Sequence, residues 1–413
     1  MLLFFFRYTY MVYMCFMSLV LIMYKNFDMY NTSMLIINIY SLFWIYMFVW
    51  LLYTMSVVMS MNLVFLNLFF LFFFFFFCSD NLLLFFFLFE ILILLVFFLI
   101  NGWGYQIERL QASVYMIMYS LFTSVPLMLL SYMFFLFGLD SFFMLYFIDM
   151  KFIWFIFIFF MFLVKFPMYF SHMWLPKAHV ESSTEGSVIL AGVMLKMGYH
   201  GLNQFFFLVY YLDLLFLIFV ISISLMGVLF SCFICFISLD IKLLVAYSSV
   251  SHMGFSLISF LTLSYMGLSS SYISSYIHSF CSSGLFFLCG VLYVSLKTRN
   301  MMCFSGISLN SMILNFWFYI FFLINMSFPI SVMVISEFMV FSSMIMYSFM
   351  CLFILMFSFI LVGGYSMYML VYISMMEVFS FKYLNFYMKY SYIMMTYFFP
   401  IMYMFILCNF FVF

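Results

Sequence analysis

The sequence predicts an all-helical, polytopic membrane protein of about thirteen spans, and three observations carry that prediction. Hydrophobic residues fill 70% of the 413 positions and Asp, Glu, Lys and Arg together 6%, against roughly 25% charged residues in a soluble domain. No water-facing surface can be built from such a chain. Apolar runs of bilayer length follow one another almost without pause, and a hydrocarbon core about 30 Å thick takes about 20 residues per helix. The few polar residues fall between the runs as punctuation. With Lys+Arg 12 against Asp+Glu 12 the net charge is zero, so no basic patch points to nucleic acid or another anionic partner.

Residues 1–23 (MLLFFFRYTYMVYMCFMSLVLIM) are apolar for longer than a signal-peptide core and lack a small-residue cleavage site, so they read as a retained first helix. Lys25–Thr32 is the first polar break. Spans near 34–58, 61–78 and 82–100 follow, then a loop at 101–112 (NGWGYQIERLQA) holding Glu108 and Arg109. Spans near 113–137 and 151–175 come next. The second is broken by Pro167 and ended by Pro176, since proline removes a helix hydrogen bond and clashes with the preceding turn. After the most polar stretch, 177–186, come spans near 187–208, 211–237, 240–263 and 271–296, and then a basic loop at Lys297–Arg299. The apolar region 311–348 is interrupted by Asn325 and Pro329, and helices near 350–375 and 391–412 finish the chain. Backbone breaks inside a bilayer survive only where protein or a water cavity takes up the freed groups. Pro167 and Pro329, each in a Phe-Pro pair behind a polar residue, therefore mark functional interruptions. Interrupted helices at matching places in two halves are the sign of a transporter built from an internal repeat. Lys and Arg are too few and too evenly spread to set orientation.

Phe 71, Met 44 and Tyr 33 are extreme counts that fit an AT-rich genome such as an organelle's. Most of the nine cysteines sit in apolar runs, among them Cys15, Cys289 and Cys408. Cys232 and Cys235 form a lone C-x-x-C without a second pair or a nearby His, and read as small apolar side chains on one helix face rather than a metal or redox site.

The informative residues are those that the composition should have removed. Glu90 lies inside LLLFFFLFEILILLVFFLI, where a short carboxylate reaches neither interface and costs roughly 2.5–3.5 kcal/mol to insert. A packing hydrogen bond is the plain alternative to a functional role. Lys165 closes the run FIWFIFIFFMFLV ahead of Pro167; it either snorkels from a helix end or faces Glu90, each lowering the other's desolvation cost. Lys196 lies midway along its helix, with His200 four residues on and so on the same face. His252 and His278 are single histidines in helices lined with Ser and Tyr, and Glu337 sits eight residues beyond Pro329, deep in an apolar run. Each alone has a packing explanation. Together, two carboxylates, two lysines and two histidines on six helices make the kind of set that proton relays require, because neighbouring buried charges shift one another's proton affinity.

Four stretches carry a resemblance. NGWGYQIERLQASVYMIMYSLFTSVPLML resembles the W-G-x-Q-x-E-R-x-x-A loop and helix of the subunit 4 family of mitochondrial NADH dehydrogenase (ubiquinone), the antiporter-like subunits of respiratory complex I. KFPMYFSHMWLPKAHVESSTEGSVILAGVMLKMGYHGL is similar to that family's K-x-P-x-x-x-x-H-x-W-L-P-K-A-H-V-E signature and the S-x-x-L-A-x-x-x-L-K helix after it. DIKLLVAYSSVSHMGF matches D-x-K-x-x-x-A-Y-S-S-V-x-H-M, and SEFMVF the G/S-E-F/L segment. The likeness runs in register over roughly residues 80–345; the flanks match in hydropathy alone. Ser182-Ser183 stands where the family has Ala-Pro, Glu185 where a small residue is common, and Ser336 where Gly is usual.

The resemblance implies an antiporter-like fold with two discontinuous helices and an internal inverted repeat. It divides the chain into N-terminal helices (1–80), a proton-translocating core (81–348) and C-terminal helices (349–413). Family members have fourteen helices, so thirteen implies one fewer near the N-terminus. Carried over residue by residue, Glu90 is the essential glutamate, Lys165 its ion-pair partner on a broken helix, and Lys196 the central relay lysine. His252 and His278 conduct beyond it, and Glu337 is the terminal glutamate facing the exit or the next subunit. The implied setting is a multi-pass protein of the mitochondrial inner membrane, partnered by other membrane-arm subunits of complex I, neighbouring antiporter-like subunits among them, and by the lipid bilayer. Proton movement would be coupled to quinone reduction in a neighbouring subunit. No G-x-G-x-x-G follows a strand pattern and no Cys set could hold a cluster, so NAD, FMN, iron–sulfur clusters and ubiquinone are expected on other subunits and no cofactor on this one. The alternative of another class is a stand-alone cation/proton antiporter subunit, and a third reading is a structural subunit whose charges merely pair.

Overall fold

A backbone surrounded by hydrocarbon must satisfy its own hydrogen bonds within each segment, and the described residues do so as helices. The computed structural model describes residues 39–58, 63–104, 106–138, 141–142, 152–206, 214–304, 311–329, 331–375 and 388–412. The first helix and the Lys25–Thr32 break expected from the sequence lie outside them. The first half comprises α1 (Ile39–Val58), α2 (Leu63–Cys78), α3 (Leu82–Trp103), α4 (Arg109–Leu136), α5 (Phe152–Lys165) and α6 (Trp174–Glu181). Next come α7 (Thr184–Ile189) and α8 (Leu195–Gln204), joined by a π-helical turn at Leu190–Met194. The second half comprises α9 (Leu214–Ile237), α10 (Ile241–Leu261), α11 (Tyr265–Leu296), α12 (Met312–Asn325), α13 (Val332–Tyr347), α14 (Phe349–Met375) and α15 (Met388–Val412). Among the described residues, α3, α4, α9, α10, α11 and α14 are each long and apolar enough to cross a bilayer. The chain is a multi-pass membrane protein.

Helix starts follow capping chemistry, in which a short polar side chain takes up an orphan amide of the first turn. Asn81, Asp240 and Ser264 accept from Leu83, Lys242 and Gly267 at 3.0, 3.1 and 3.0 Å. Ser264 is why α11 begins at Tyr265 and not near 271, as hydropathy alone indicated. Ser183 accepts from Gly186 at 3.2 Å and starts α7, so the Ser182-Ser183 pair supplies the turn with a serine cap.

α11 is the hub, packing against α1, α7, α8, α10, α12, α13 and α15. It and α10 are rich in serine. Most of those hydroxyls turn inward to a carbonyl of their own helix, as Ser249 does to Ala246 (2.6 Å) and Ser275 to Tyr272 (2.9 Å). A serine so satisfied is a small, dry residue that lets neighbouring helices approach closely.

Both expected interruptions are present, with one correction. The first break falls after Lys165, and the chain resumes as α6 at Trp174. Pro176 does not end a helix there; it sits in the first turn of α6, where its missing N–H would have had no partner, and the polar stretch after it is largely helical. The second break separates α12 from α13 after Asn325. The two breaks share a hydrogen-bond pattern. Met168 N–H donates to the Leu163 carbonyl (3.2 Å) and Ser171 N–H to Met168 (3.2 Å); Phe328 donates to Leu323 (3.0 Å) and Ser331 to Phe328 (2.8 Å). Each also holds a non-glycine residue at positive φ, Phe170 at 73° and Ser327 at 58°. Such strain costs of order 1–3 kcal/mol and persists where the surroundings over-determine it, commonly at functional sites.

α8 crosses the first break at close range. A Cβ on Gly198 would come within 2.8 Å of the Phe166 nitrogen and 3.1 Å of the Lys165 carbonyl carbon, both backbone atoms that cannot swing aside. Gly198→Ala is therefore expected to destabilise the fold by about 1–3 kcal/mol through overpacking, read as a lower midpoint of heat-induced dissociation of the purified assembly. An unchanged midpoint would show that the break yields.

Candidate functional site

Four of the buried ionisable groups are neighbours in succession. The π-turn ahead of α8 precedes Lys196, and π-turns within α-helices recur at functional sites. The Lys196 side chain folds back so that Nζ donates to the Ala191 carbonyl inside the turn (2.7 Å) and lies 3.3 Å from Nδ1 of His278 on α11. The His278 ring is 5.8 Å, centroid to centroid, from that of His252 on α10. Nδ1 of His252 is 3.8 Å from Oε1 of Glu337 on α13. Lys196, His278, His252 and Glu337 are all buried, none more than 3% exposed. Four groups from four elements thus form one succession, ending beside the second helix break.

This succession is poorly satisfied. Neither ring nitrogen of His252 nor either oxygen of Glu337 has a hydrogen-bond partner within the described residues. Leaving a buried polar group unpaired costs about 1–3 kcal/mol, and such groups in a native fold call for an explanation beyond stability.

Lys165 lies at the first helix break, with Glu90 as its acidic neighbour. Lys165 is buried at the C-terminus of α5, where the helix dipole favours a cation. Its Nζ lies 5.6 Å from the Phe89 ring centroid and 5.5 Å from that of Trp174, within reach of a cation–π attraction. Trp174 is fixed by its indole N–H, which donates to Val164 O at 3.0 Å. Glu90 is the charge that acts on Lys165, but the two do not touch. Among the described residues the one acid–base pair within 4 Å is His252–Glu337. The ion pair expected from the sequence is replaced by aromatic contacts, with the carboxylate a neighbour whose buried Oε1 lacks a partner. His200 also departs from expectation. Lys196 bends back toward Ala191, while the His200 ring enters an aromatic cage of Phe76, Phe77 and Phe85 at 5.7, 5.1 and 6.4 Å.

Four buried ionisable groups, His172, His179, Glu181 and Lys242, went unremarked in the sequence. His179 on α6 stacks on Phe286 of α11 at 4.5 Å and 8°. Lys242, in the first turn of α10, donates from Nζ to the Ser182 carbonyl at 3.1 Å. Beyond them lies a polar face. Gln106, its amide oriented by the network around it, donates to both carboxylate oxygens of Glu181 (2.5 and 2.8 Å) and accepts from both terminal nitrogens of Arg299 (2.8 and 2.9 Å). A backbone bridge between Asp240 and Asn300 ties the adjoining loops together. Burial raises the Asp240 carboxyl above its ordinary range, with the Arg299 charge pulling the other way.

The fold agrees with what the chain is similar to. Residues 79–363 match the family described as NADH:quinone oxidoreductase/Mrp antiporter, TM. Relatives named NADH-ubiquinone oxidoreductase chain 4 include those of Aedes aegypti, 41% identical over 249 residues (58% of this chain, 54% of the relative), and Ceratitis capitata, 41% identical over 244 residues with the same shares. The Rhipicephalus sanguineus protein of that name is 38% identical over 323 residues, covering 76% of this chain and 72% of its own length. The chain thus spans about half the length of the first two. In structure it is similar to a chain of respiratory complex I from Thermus thermophilus with bound NADH (TM-score 0.84, 18% identity, 94% of this chain and 87% of that one). It is also similar to a chain of the Mrp complex from Dietzia sp. DQ12-45-1b (TM-score 0.75, 15% identity, 84% and 68%). At those identities the two structures speak to fold alone.

Proposed function

This chain belongs to the NADH:quinone oxidoreductase/Mrp antiporter transmembrane family, and on that premise we propose that it is a proton-translocating membrane subunit of a mitochondrial NADH:ubiquinone oxidoreductase. The observation that carries the proposal is the buried succession Lys196–His278–His252–Glu337. Two positive charges 3.3 Å apart repel by about 5 kcal/mol at an effective dielectric constant of 20, so Lys196 and His278 together hold one excess proton rather than two. A neutral imidazole takes a proton on one nitrogen and releases one from the other; His278 therefore accepts from Lys196 at Nδ1 and passes a proton toward His252, whose Nδ1 faces Glu337. A change in charge at Glu90 and Lys165, next to the break on which α8 rests, biases where that proton sits. NAD, FMN, iron–sulfur clusters and ubiquinone are assigned to other subunits, and the partners to the rest of the membrane arm in the mitochondrial inner membrane. The relatives named above, at 38–41% identity, all carry the chain 4 name, which favours this reading over a stand-alone antiporter.

Glu90→Gln tests the coupling. The substitution keeps the side chain's shape and removes the charge that acts on Lys165, so proton pumping and quinone-linked NADH oxidation are both expected to fall about threefold per assembled complex. Parent rates with normal assembly would refute the assignment of Glu90.

A further inference from the structure

Lys165 sits where the backbone is broken, and the helix that meets it there is α6. Trp174, the first residue of α6, places its ring 5.5 Å from the Lys165 Nζ and donates its indole N–H to the Val164 carbonyl. α6 has eight residues, so it is about 12 Å long at 1.5 Å per residue, and Glu181 is its last. The break precedes it and the serine turn follows it, so side-chain contacts rather than a continuous helix set its position. At its far end Gln106 donates to both Glu181 carboxylate oxygens (2.5 and 2.8 Å) and accepts from both terminal nitrogens of Arg299 (2.8 and 2.9 Å). Both supports of that end are themselves fixed. Gln106 follows α3 in a turn whose Gly104 carbonyl accepts from Arg109 at 2.9 Å. Arg299 lies in the turn after α11; its carbonyl accepts from the Ile241 N–H at 3.3 Å, and the Met301 N–H donates to Leu239 at 2.8 Å. The Arg299 guanidinium lies 5.3 Å from the Tyr293 ring centroid.

We propose that Gln106, Glu181 and Arg299 are positioning residues: they clamp the far end of α6 and, through that short helix, hold Trp174 against Lys165. The side-chain chemistry sets the order of the row. An arginine only donates, an ionised glutamate only accepts, and a primary amide does both, so an amide in the middle leaves every group paired. Hydrogen bonds to a charged partner are about twice as strong as neutral ones, and the amide makes that kind on both sides. The clamp also ties together three elements of the relay, since α3 carries Glu90, α6 meets Lys165 and α11 carries His278. Their mutual placement matters because a shift of about 1 Å far from the chemistry can cost about a hundredfold in rate. The inference rests on the proposed proton-translocating function.

The test exchanges amide and carboxylate in the intact membrane complex containing this chain, with rates divided by the amount of assembled complex. Gln106→Glu sets two carboxylates face to face and is expected to lower proton pumping linked to NADH oxidation about fivefold. Glu181→Gln keeps one amide–amide bond and is expected to cost about twofold. Combined, they rebuild the row with the carboxylate in the middle, accepting from Arg299 on one side and from the new amide on the other, at unchanged net charge. The double variant is expected to pump within about twofold of the parent, whereas independent roles predict a loss of about tenfold. Parent rates in Gln106→Glu, or a double variant no better than Gln106→Glu alone, would overturn the clamp. If Gln106→Glu assembles too scarcely to assay, Gln106→Leu decides. It removes the amide and is expected to lose about threefold, none of it regained on adding Glu181→Gln; parent rates or recovery overturn the clamp. Trp174→Phe, which removes the indole N–H, checks the path of action. Combined with Gln106→Leu it should pump no worse than the poorer single variant; losses that multiply would overturn the role of α6. Lys196→Met separates the two levels. If it keeps parent rates, the translocating function itself fails; if it loses them while both Gln106 variants pump normally, only the clamp does.

Discussion

Lys196→Met is expected to cut proton uptake and quinone-linked NADH oxidation about tenfold or more while the complex still assembles. The two halves of that expectation have separate causes. Methionine nearly matches lysine in length and is at home in a buried apolar site, so replacement removes an ammonium that is costly to bury. Against that gain stands the Ala191 carbonyl of the π-turn, which loses the 2.7 Å bond from Nζ; an unpaired buried acceptor costs about 1–3 kcal/mol. The balance leaves stability near its starting point. The relay has no such compensation. His278 Nδ1 faces Lys196 Nζ at 3.3 Å, and a thioether carries no proton to give. Native-gel abundance and rates per assembled complex separate the two effects. Full rates with normal abundance would remove Lys196 from the path.

Much of this arrangement was legible in the sequence, because isolated polar residues in a chain with 6% charge stand out against hydrocarbon. Glu90, Lys165, Lys196, His252, His278 and Glu337 were found by that contrast alone, and the two interruptions by proline. Composition cannot say how far apart such groups lie. Lys165 is matched with aromatic rings and not with Glu90 itself, since helix-end position and ring geometry are tertiary facts. Lys196 and His200 share a helical face by spacing, yet a long flexible side chain and a short rigid one leave that face in different directions. The π-turn at Leu190–Met194 has no residue signature in LAGVM. α6 was missed because proline reads as a stop unless its place in the first turn is known. His179 and Lys242 were passed over for a related reason: polar stretches read as exposed connections, and both residues are buried. The signal that could have found them was present. Both lie within the motifs that carried the resemblance, in WLPKAHVE and DIKLLVAYSS.

Glu337→Gln is expected to lower proton pumping about tenfold, and the manner in which it combines with a second substitution is the sharper test. His252 Nδ1 lies 3.8 Å from Glu337 Oε1, beyond a firm hydrogen bond and short enough that a small movement of α13 closes it. α13 is a separate helix, divided from α12 by the break between Asn325 and Val332, so it can shift without carrying α12 with it. If His252 hands its proton to Glu337, each is needed for the same step, and either loss alone stops it. The double variant His252→Gln with Glu337→Gln should then pump no worse than the poorer single variant, since residues acting as a unit are strongly non-additive. Two independent packing roles predict the opposite, with the logarithms of the two losses adding. The gap between those outcomes is about tenfold in rate if each single loss is about tenfold, or about 1.4 kcal/mol in barrier, well within reach of initial-rate measurements on membrane vesicles.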